Sequence, residues 1–168
     1  MTPLTPAKAF RLAPMSPIIL VMTLILLALP IFFFIAAMFG AHLHLAPGLL
    51  VISLYVWIWL RFRPSQFVVH DRSLEIIWPL KRRTISRTDI TRVRLLTSEG
   101  LKQEIGWGMR MGAGGLGGGF GWLWTKRHGL VQMYVSRTDE FVWIDRGTDR
   151  PWLLTPEQPD EFVRTLSG

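Results

Sequence analysis

The chain has 168 residues and a formal net charge of +7, because 19 lysines and arginines face 12 acidic residues. It contains no cysteine, which excludes a disulfide framework, a thiolate nucleophile and a cysteine-based metal site. Residues 61–94 hold nine basic and three acidic groups. Basic charge next to an apolar segment is typical of a protein that meets anionic lipid head groups. A lipid partner is therefore favoured, and nucleic acid is not expected as a partner.

The first segment, residues 1–16, contains three prolines and the basic residues Lys8 and Arg11. This composition predicts a short disordered or interfacial arm on the cytoplasmic side.

A long uncharged stretch follows, running from Leu12 to Leu60 without one Asp, Glu, Lys or Arg. About 20 apolar residues span the hydrocarbon core of a bilayer, so the stretch is long enough to cross twice. Glycine, histidine and proline interrupt it at residues 40–48. We therefore predict a transmembrane hairpin over residues 17–62, with helices at 17–39 and 45–62. A cleaved signal peptide is the rival interpretation of the first helix, but its apolar core would be only about 7–15 residues long.

The residues that flank this hairpin indicate its orientation. Its second helix ends with Trp57 and Trp59, followed by Arg61 and Arg63. This is the order of an aromatic belt and a cationic anchor at a cytoplasmic interface. Because the connecting loop carries no basic charge whereas both outer ends do, the positive-inside rule places both termini in the cytoplasm.

From Gln66 onwards the pattern changes to short runs of β-branched and aromatic residues separated by turn formers, which is typical of β-strands. The seven predicted strands are Gln66–His70, Leu74–Trp78, Arg82–Ser86, Ile90–Leu96, Gly129–Ser136, Phe141–Asp145 and Pro151–Leu154. The final segment returns to helix. Residues 155–158 fit a capping box with proline at the first helical position. Phe162, Val163 and Leu166 would form its apolar face.

This order of parts resembles the membrane-anchored bacterial proteins with a pleckstrin-homology-like (PH-like) domain. The residues that carry the resemblance are Phe67-Val68-Val69, Tyr134-Val135-Ser136, Leu154-Thr155-Pro156-Glu157 and Phe162-Val163. The resemblance implies a mainly antiparallel, bent sheet of about seven strands over residues 63–168, with a C-terminal capping helix. It implies no catalysis. With the predicted topology, it implies a two-span protein of the bacterial cytoplasmic (inner) membrane.

A Gly- and Trp-rich insert at residues 97–128 distinguishes the chain from a minimal domain of this kind. One interpretation is a flexible connector whose aromatic residues pack on the sheet. The other is a mobile, membrane-facing loop. The candidate lipid contacts of that loop are Trp107, Phe120, Trp122, Trp124, Lys126 and Arg127, with His128 beside them. The glycines at 112–117 also match G-x-G-x-x-G, but no helix is predicted to begin there, as a dinucleotide site requires.

The densest basic cluster is Lys81, Arg82 and Arg83, with Arg87 nearby. In PH-like domains, basic residues around the early strand loops often meet lipid head groups, so the resemblance suggests a lipid site here. A solvated charged face is the alternative. His42 and His44 lie two residues apart and are favoured as interfacial residues, because the sequence offers no third metal ligand near them.

The sequence offers no catalytic set, cofactor site or metal site. The predicted function is a non-catalytic, membrane-anchored PH-like binding or assembly module at the cytoplasmic face, with anionic lipid and a protein partner or homo-oligomer as its contacts. The alternative is an accessory structural subunit of a larger membrane complex, since small residues on both helices permit close packing.

Overall fold

The computed structural model describes residues 7–40, 42–147 and 149–168. Two helices, α1 (Pro17–Met38) and α2 (Leu45–Arg61), precede most of a β domain that also contains α3 (Ser98–Ile105) and α4 (Pro159–Ser167). The described residues form ten strands. They are β1 (Lys8–Arg11), β2 (Gln66–Val69), β3 (Ser73–Ile77), β4 (Arg82–Ser86), β5 (Ile90–Leu96), β6 (Gly108–Gly114), β7 (Gly119–Thr125), β8 (Gly129–Val135), β9 (Phe141–Arg146) and β10 (Asp149–Leu154).

The two long helices pack against each other and expose most of their apolar residues. The Tyr55 hydroxyl of α2 donates a hydrogen bond to the Leu26 carbonyl oxygen of α1 at 3.1 Å. In α1, only 11% of the most apolar stretch of 18 residues is buried. In His42–Arg61, which comprises α2 and the turn before it, the corresponding share is 6%. By length and composition both helices can cross a membrane. A helix from the core of a soluble protein would instead be mostly buried.

The seven strands predicted from sequence are all present, and their ends lie within two residues of the predicted ones. They are arranged in two sheets. One contains four strands in the order β1-β2-β3-β4, and the other contains six in the order β5-β9-β10-β8-β7-β6. All pairs are antiparallel except β8 with β10. The general prediction of N-terminal helices followed by a mostly antiparallel domain and a C-terminal helix is therefore confirmed.

The main core lies between the two sheets. Phe67 and Ile76 of the first sheet and Trp152 and Leu154 of the second are fully buried there. A second apolar cluster lies on the other face of the six-stranded sheet, where Leu101 and Ile105 of α3 cover Trp143. The six-stranded sheet is thus covered on both faces, by the first sheet and by α3.

The prediction of a disordered or interfacial arm is wrong for the described part of residues 1–16. Lys8–Arg11 is strand β1, paired antiparallel with β2 in the register Phe10↔Phe67. Phe10 is only 3% exposed. A strand of four residues is too short to show a clear alternation in the sequence, and its partner lies beyond both helices. Residues 1–6 lie outside the described part of the chain.

The prediction of a mobile connector or loop is also wrong for much of residues 97–128. This segment forms α3 and the hairpin β6–β7, which extends the sheet. Gly112 and Gly121 face each other across the hairpin. A Cβ on Gly112 would lie 2.5 Å from the Phe120 carbonyl oxygen, and one on Gly121 would lie 2.7 Å from that of Met111. Glycine here permits close approach of two strands.

The C-terminal helix begins later than the capping-box pattern predicts. Its first residue is Pro159, and its N-cap, Gln158, makes no side-chain capping bond. Thr155 is instead fully buried, and its hydroxyl accepts a hydrogen bond from the Ser136 amide at 2.9 Å. Residues 155–157 are held by this bond and by the Glu157 amide, which donates to the Arg11 carbonyl oxygen. The predicted core face is present, since Phe162 and Leu166 are buried and Val163 is half-buried.

We expect Phe162→Ala to destabilise the domain by about 3–5 kcal/mol, the usual range for removing a buried aromatic side chain. Phe162 contacts Phe10 edge to face, with 5.2 Å between ring centroids. Phe10→Ala should therefore have a similar effect, and the double variant should cost less than the sum. Chemical denaturation of the full chain in mild detergent measures this. The control is Arg164→Ala on the same helix, and an equal effect of this control would contradict the core assignment.

Candidate binding site between the helices and the sheet

The tip of the β6–β7 hairpin contacts the helix pair. Thr23, in the second turn of α1, is 4% exposed. Its hydroxyl accepts a hydrogen bond from the Gly117 amide at 2.9 Å. The same oxygen lies 2.8 Å from the Gly115 carbonyl oxygen and 2.7 Å from that of Ile19, and its single proton serves one of them at a time. The Thr23 hydroxyl of α1 is thus within hydrogen-bond distance of two backbone groups of the β6–β7 turn, the Gly117 amide and the Gly115 carbonyl oxygen.

The hairpin tip must be glycine where it meets α2. Gly117 has a φ of +73°, and a Cβ there would lie 2.9 Å from Cζ3 of Trp59. Trp59 is in turn covered by Arg63, whose guanidinium carbon lies 4.3 Å from the ring centroid. Burial lowers the pKa of Arg63. Two of the predicted interface anchors therefore pack against the β domain.

The end of α2 is fastened to the first sheet. The indole N–H of Trp78 donates to the Phe62 carbonyl oxygen at 2.9 Å. Lys81 lies 4.4 Å from the Trp78 ring centroid, and its pKa is lowered by burial and then by the neighbouring charges of Arg61 and Arg83. The predicted anchor Trp57 contacts Phe62 edge to face, with 5.2 Å between ring centroids. The junction is thus rich in aromatic and cationic side chains.

An apolar groove lies beside the hairpin tip. It has a volume of about 490 Å³ and lies between the first turns of α1, helix α3 and the tip of the β6–β7 hairpin. Its apolar lining includes Ile18, Met22, Leu101, Met133 and Phe141. Its size is within the range of small-molecule sites.

The three residues of the predicted basic cluster make different contacts in the structure. Lys81, in the turn between β3 and β4, contacts the rings of Trp78 and Phe62 beside the end of α2. Arg82 is exposed, with a guanidinium nitrogen 3.9 Å from a Glu75 carboxylate oxygen. Arg83 reaches the second sheet, where it donates to Gln132 and lies 5.1 Å from the Trp152 ring centroid. Arg83 is nonetheless close enough to Lys81 for its charge to add to the lowering of the Lys81 pKa by burial. A lipid contact by Lys81, Arg82 and Arg83 stays a prediction.

Arg83 and Gln132 belong to a short chain of hydrogen bonds that ends at Tyr134. The Gln132 amide donates to the Tyr134 hydroxyl. Burial raises the pKa of Tyr134 to about 12. The Arg87 side chain is used elsewhere, since it donates to the Leu166 carbonyl oxygen at 2.7 Å.

The predicted lipid contacts of the insert are distributed along the hairpin. Phe120 is 1% exposed and belongs to the main core, so the prediction of a lipid contact is wrong for this residue. Trp122 lies beneath Arg150, 5.0 Å from its guanidinium carbon. Trp107 and Trp124 are exposed and pack edge to face.

Lys126 and Arg127 are exposed at the turn between β7 and β8. Seven strand residues separate this turn from the hairpin tip, a distance of about 20 Å. The turn between β7 and β8 thus lies at the end of the hairpin that is remote from α1 and α2. A lipid contact by these residues, and by Trp107, Trp122 and Trp124, stays a prediction.

Helix α3 is fixed by a group of charged residues that sequence reasoning missed. Arg94 of β5 donates to both carboxylate oxygens of Glu104, at 2.9 and 3.0 Å, and to Asp145 at 3.1 Å. His128 lies 3.1 Å from Glu104. The hydrogen bond from Arg94 is the main cause of the lowered pKa of Glu104. No sequence pattern marks this group, because its members come from four separate segments.

The described residues contain no group of three or more His, Asp and Glu side chains placed to hold a metal ion. His44 precedes α2, and its ring centroid lies 6.0 Å from that of Phe33. The G-x-G-x-x-G match covers the end of β6 and the following turn, and a strand follows it.

The comparison with protein families identifies the β domain. A family model described as "Bacterial PH domain" matches residues 65–168. The chain belongs to the bacterial PH domain family. The resemblance seen in the sequence is thus confirmed. No curated protein and no solved structure matches the chain.

The matched region begins after the helices, so β1, α1 and α2 lie outside it. PH domains are generally non-catalytic modules that bind lipids or proteins. The four-stranded sheet of this chain also contains an edge strand from outside the matched region, β1, which precedes α1 in the sequence.

We expect Thr23→Val to loosen the hairpin tip, because it leaves the Gly117 amide without its hydroxyl partner. An unpaired buried group costs about 1–3 kcal/mol. Hydrogen exchange at Gly117 in the full chain should become faster. Thr23→Ser keeps the hydroxyl and is the matched control. Unchanged exchange in Thr23→Val would contradict this role.

The lowered pKa of Glu104 predicts a pH-dependent stability. A carboxylate with a lowered folded-state pKa stabilises the fold above its unfolded value of about 4.3 and loses this effect as the pH falls through the lowered pKa. Glu104→Gln should therefore reduce the loss of melting temperature between pH 7 and pH 3. Glu99→Gln, on the exposed side of α3, should leave it unchanged. An identical acid response in all three proteins would contradict the contribution of the Arg94–Glu104 pair.

Proposed function

We propose that this protein is a non-catalytic PH-like binding module, anchored by α1 and α2 at the cytoplasmic face of a bacterial inner membrane. The observation that carries the proposal is the combination of two exposed apolar helices with a β domain fastened to one end of the pair. The start of α1 is tied to the domain because the Ser16 amide donates to the Ser136 carbonyl oxygen at 3.1 Å. The end of α2 is tied through Phe62 and Trp78.

The charges at this end support a cytoplasmic position of the domain. Lys8 and Arg11 precede α1, while Arg61 and Arg63 lie at or just after the end of α2. Cytoplasmic ends of membrane helices carry an excess of such residues. The domain would then lie against the anionic inner leaflet, where each lysine or arginine near the surface contributes about 1 kcal/mol.

The alternative function is that of an accessory subunit in a larger membrane complex. It is favoured by an exposed apolar patch on the edge of the six-stranded sheet, formed by Trp107, Met109, Met111 and Trp124. β6 is the last strand of this sheet. Exposed apolar patches and free strand edges are common sites of protein association. Purification in mild detergent separates the two functions, since a defined heteromeric complex supports the subunit and a lone monomer or homo-oligomer supports the module.

We expect the full chain to stay in the membrane fraction after alkaline carbonate washing. Reporter fusions at Gly168 should be active only in the cytoplasm, and fusions within residues 42–46 only outside it. If these charges set the orientation, changing Lys8, Arg11, Arg61 and Arg63 to Gln should weaken the orientation preference. Release by carbonate would refute the anchor, and a C-terminal reporter outside the cytoplasm would refute the orientation.

A further inference from the structure

The apolar groove beside the hairpin tip has a distinctive floor. Gly114, Gly115, Gly118 and Gly119 contribute backbone without side chains to this floor. A Cβ on Gly114 would meet no atom within 4 Å. The open volume beside Gly114 therefore depends on the small size of this residue. None of the basic residues of the early strand loops lines the groove.

One wall of the groove belongs to the proposed membrane anchor. Ile18, Ile19 and Met22 lie in the first turns of α1 and line the cavity. The opposite wall is α3, with Leu101 and Ile105. The apolar surface of the groove is thus continuous with that of a helix that would contact lipid. A hydrocarbon chain from the adjoining leaflet would find apolar contacts along this whole path.

The charge of the groove selects the kind of lipid. Three basic residues and no acidic residue line it. Arg137 is already paired with Glu140 at 2.8 Å. Within the described part of the chain, the side chains of Lys102 and Arg110 have neither an ion-pair nor a hydrogen-bond partner. Two cations are therefore available to a phosphate group at a mainly apolar site.

We propose that this groove binds one anionic phospholipid, with an acyl chain against Ile18, Met22 and Met133 and its phosphate against Lys102 and Arg110. This inference rests on the proposed membrane anchoring. It assigns the lipid contact of the module to a cleft between the anchor and the domain. The site differs from the lipid contact predicted for Lys126 and Arg127 at the turn between β7 and β8.

The test uses the full chain in mild detergent with added phosphatidylglycerol, and native mass spectrometry to count bound lipid. The Gly114→Leu variant places a side chain in the open volume, and Gly114 does not have a left-handed φ. We expect the unmodified chain to retain one phosphatidylglycerol and Gly114→Leu to bind it at least tenfold more weakly. Gly147→Leu is the matched control, since its Cβ is also unobstructed and it does not line the groove. Phosphatidylcholine with the same acyl chains should bind several-fold more weakly to the unmodified chain.

The charge variants separate the groove from the distant turn. Lys102→Gln with Arg110→Gln should weaken phosphatidylglycerol binding roughly fivefold for each cation removed. Lys126→Gln with Arg127→Gln should leave it unchanged. Equal retention by the unmodified chain and Gly114→Leu overturns the proposal, as does a loss confined to the Lys126 and Arg127 variant. If Gly114→Leu lowers the melting temperature, the Lys102 and Arg110 variant still decides.

Carbonate washing of the same proteins distinguishes the two proposals. A chain that resists carbonate but binds phosphatidylglycerol equally with or without Gly114→Leu refutes the groove and leaves the anchor intact. A chain that carbonate releases refutes the anchor itself, and the groove proposal falls with it.

Discussion

The pairing of β1 with β2 constrains the rest of the structure. β1 ends at Arg11 and β2 begins at Gln66, so both helices lie between two adjacent strands of one sheet. This pairing returns the end of α2 to the place where α1 begins. Both outer ends of the helix pair must then lie on the same side, next to the β domain. The aromatic contact between Phe10 and Phe162 extends this constraint to the C-terminal helix.

A second constraint comes from the hairpin tip. Thr23 bonds the tip to α1, and Gly117 allows Trp59 of α2 to approach it. The domain is therefore joined to the helices at three places: at both chain connections, and at a turn distant from them in sequence. Several joints of this kind restrict rotation of the domain about its connections. A domain held in this way presents a fixed face to whatever surrounds the helices.

The parts of the fold that could be predicted from sequence are those with strong local patterns. The long apolar runs give α1 and α2, and alternation gives strands such as Ile90–Leu96. β1 could not be predicted, because it is four residues long and its partner lies beyond both helices. The hairpin β6–β7 was missed because glycine is normally poor in strands. Here its alternate aromatic residues, Phe120 and Trp122, supply the packing, and Gly112 and Gly121 allow close approach.

The candidate site was the hardest part to predict, because it depends on residues brought together from distant segments. Lys81, Arg82 and Arg83 are adjacent in the sequence, yet a strand directs neighbouring side chains to opposite faces. Lys102 and Arg110, by contrast, are eight residues apart and line one groove. Residues 97–128 supply α3, the hairpin tip and most of the groove, so this Gly- and Trp-rich segment forms the place where the β domain meets α1.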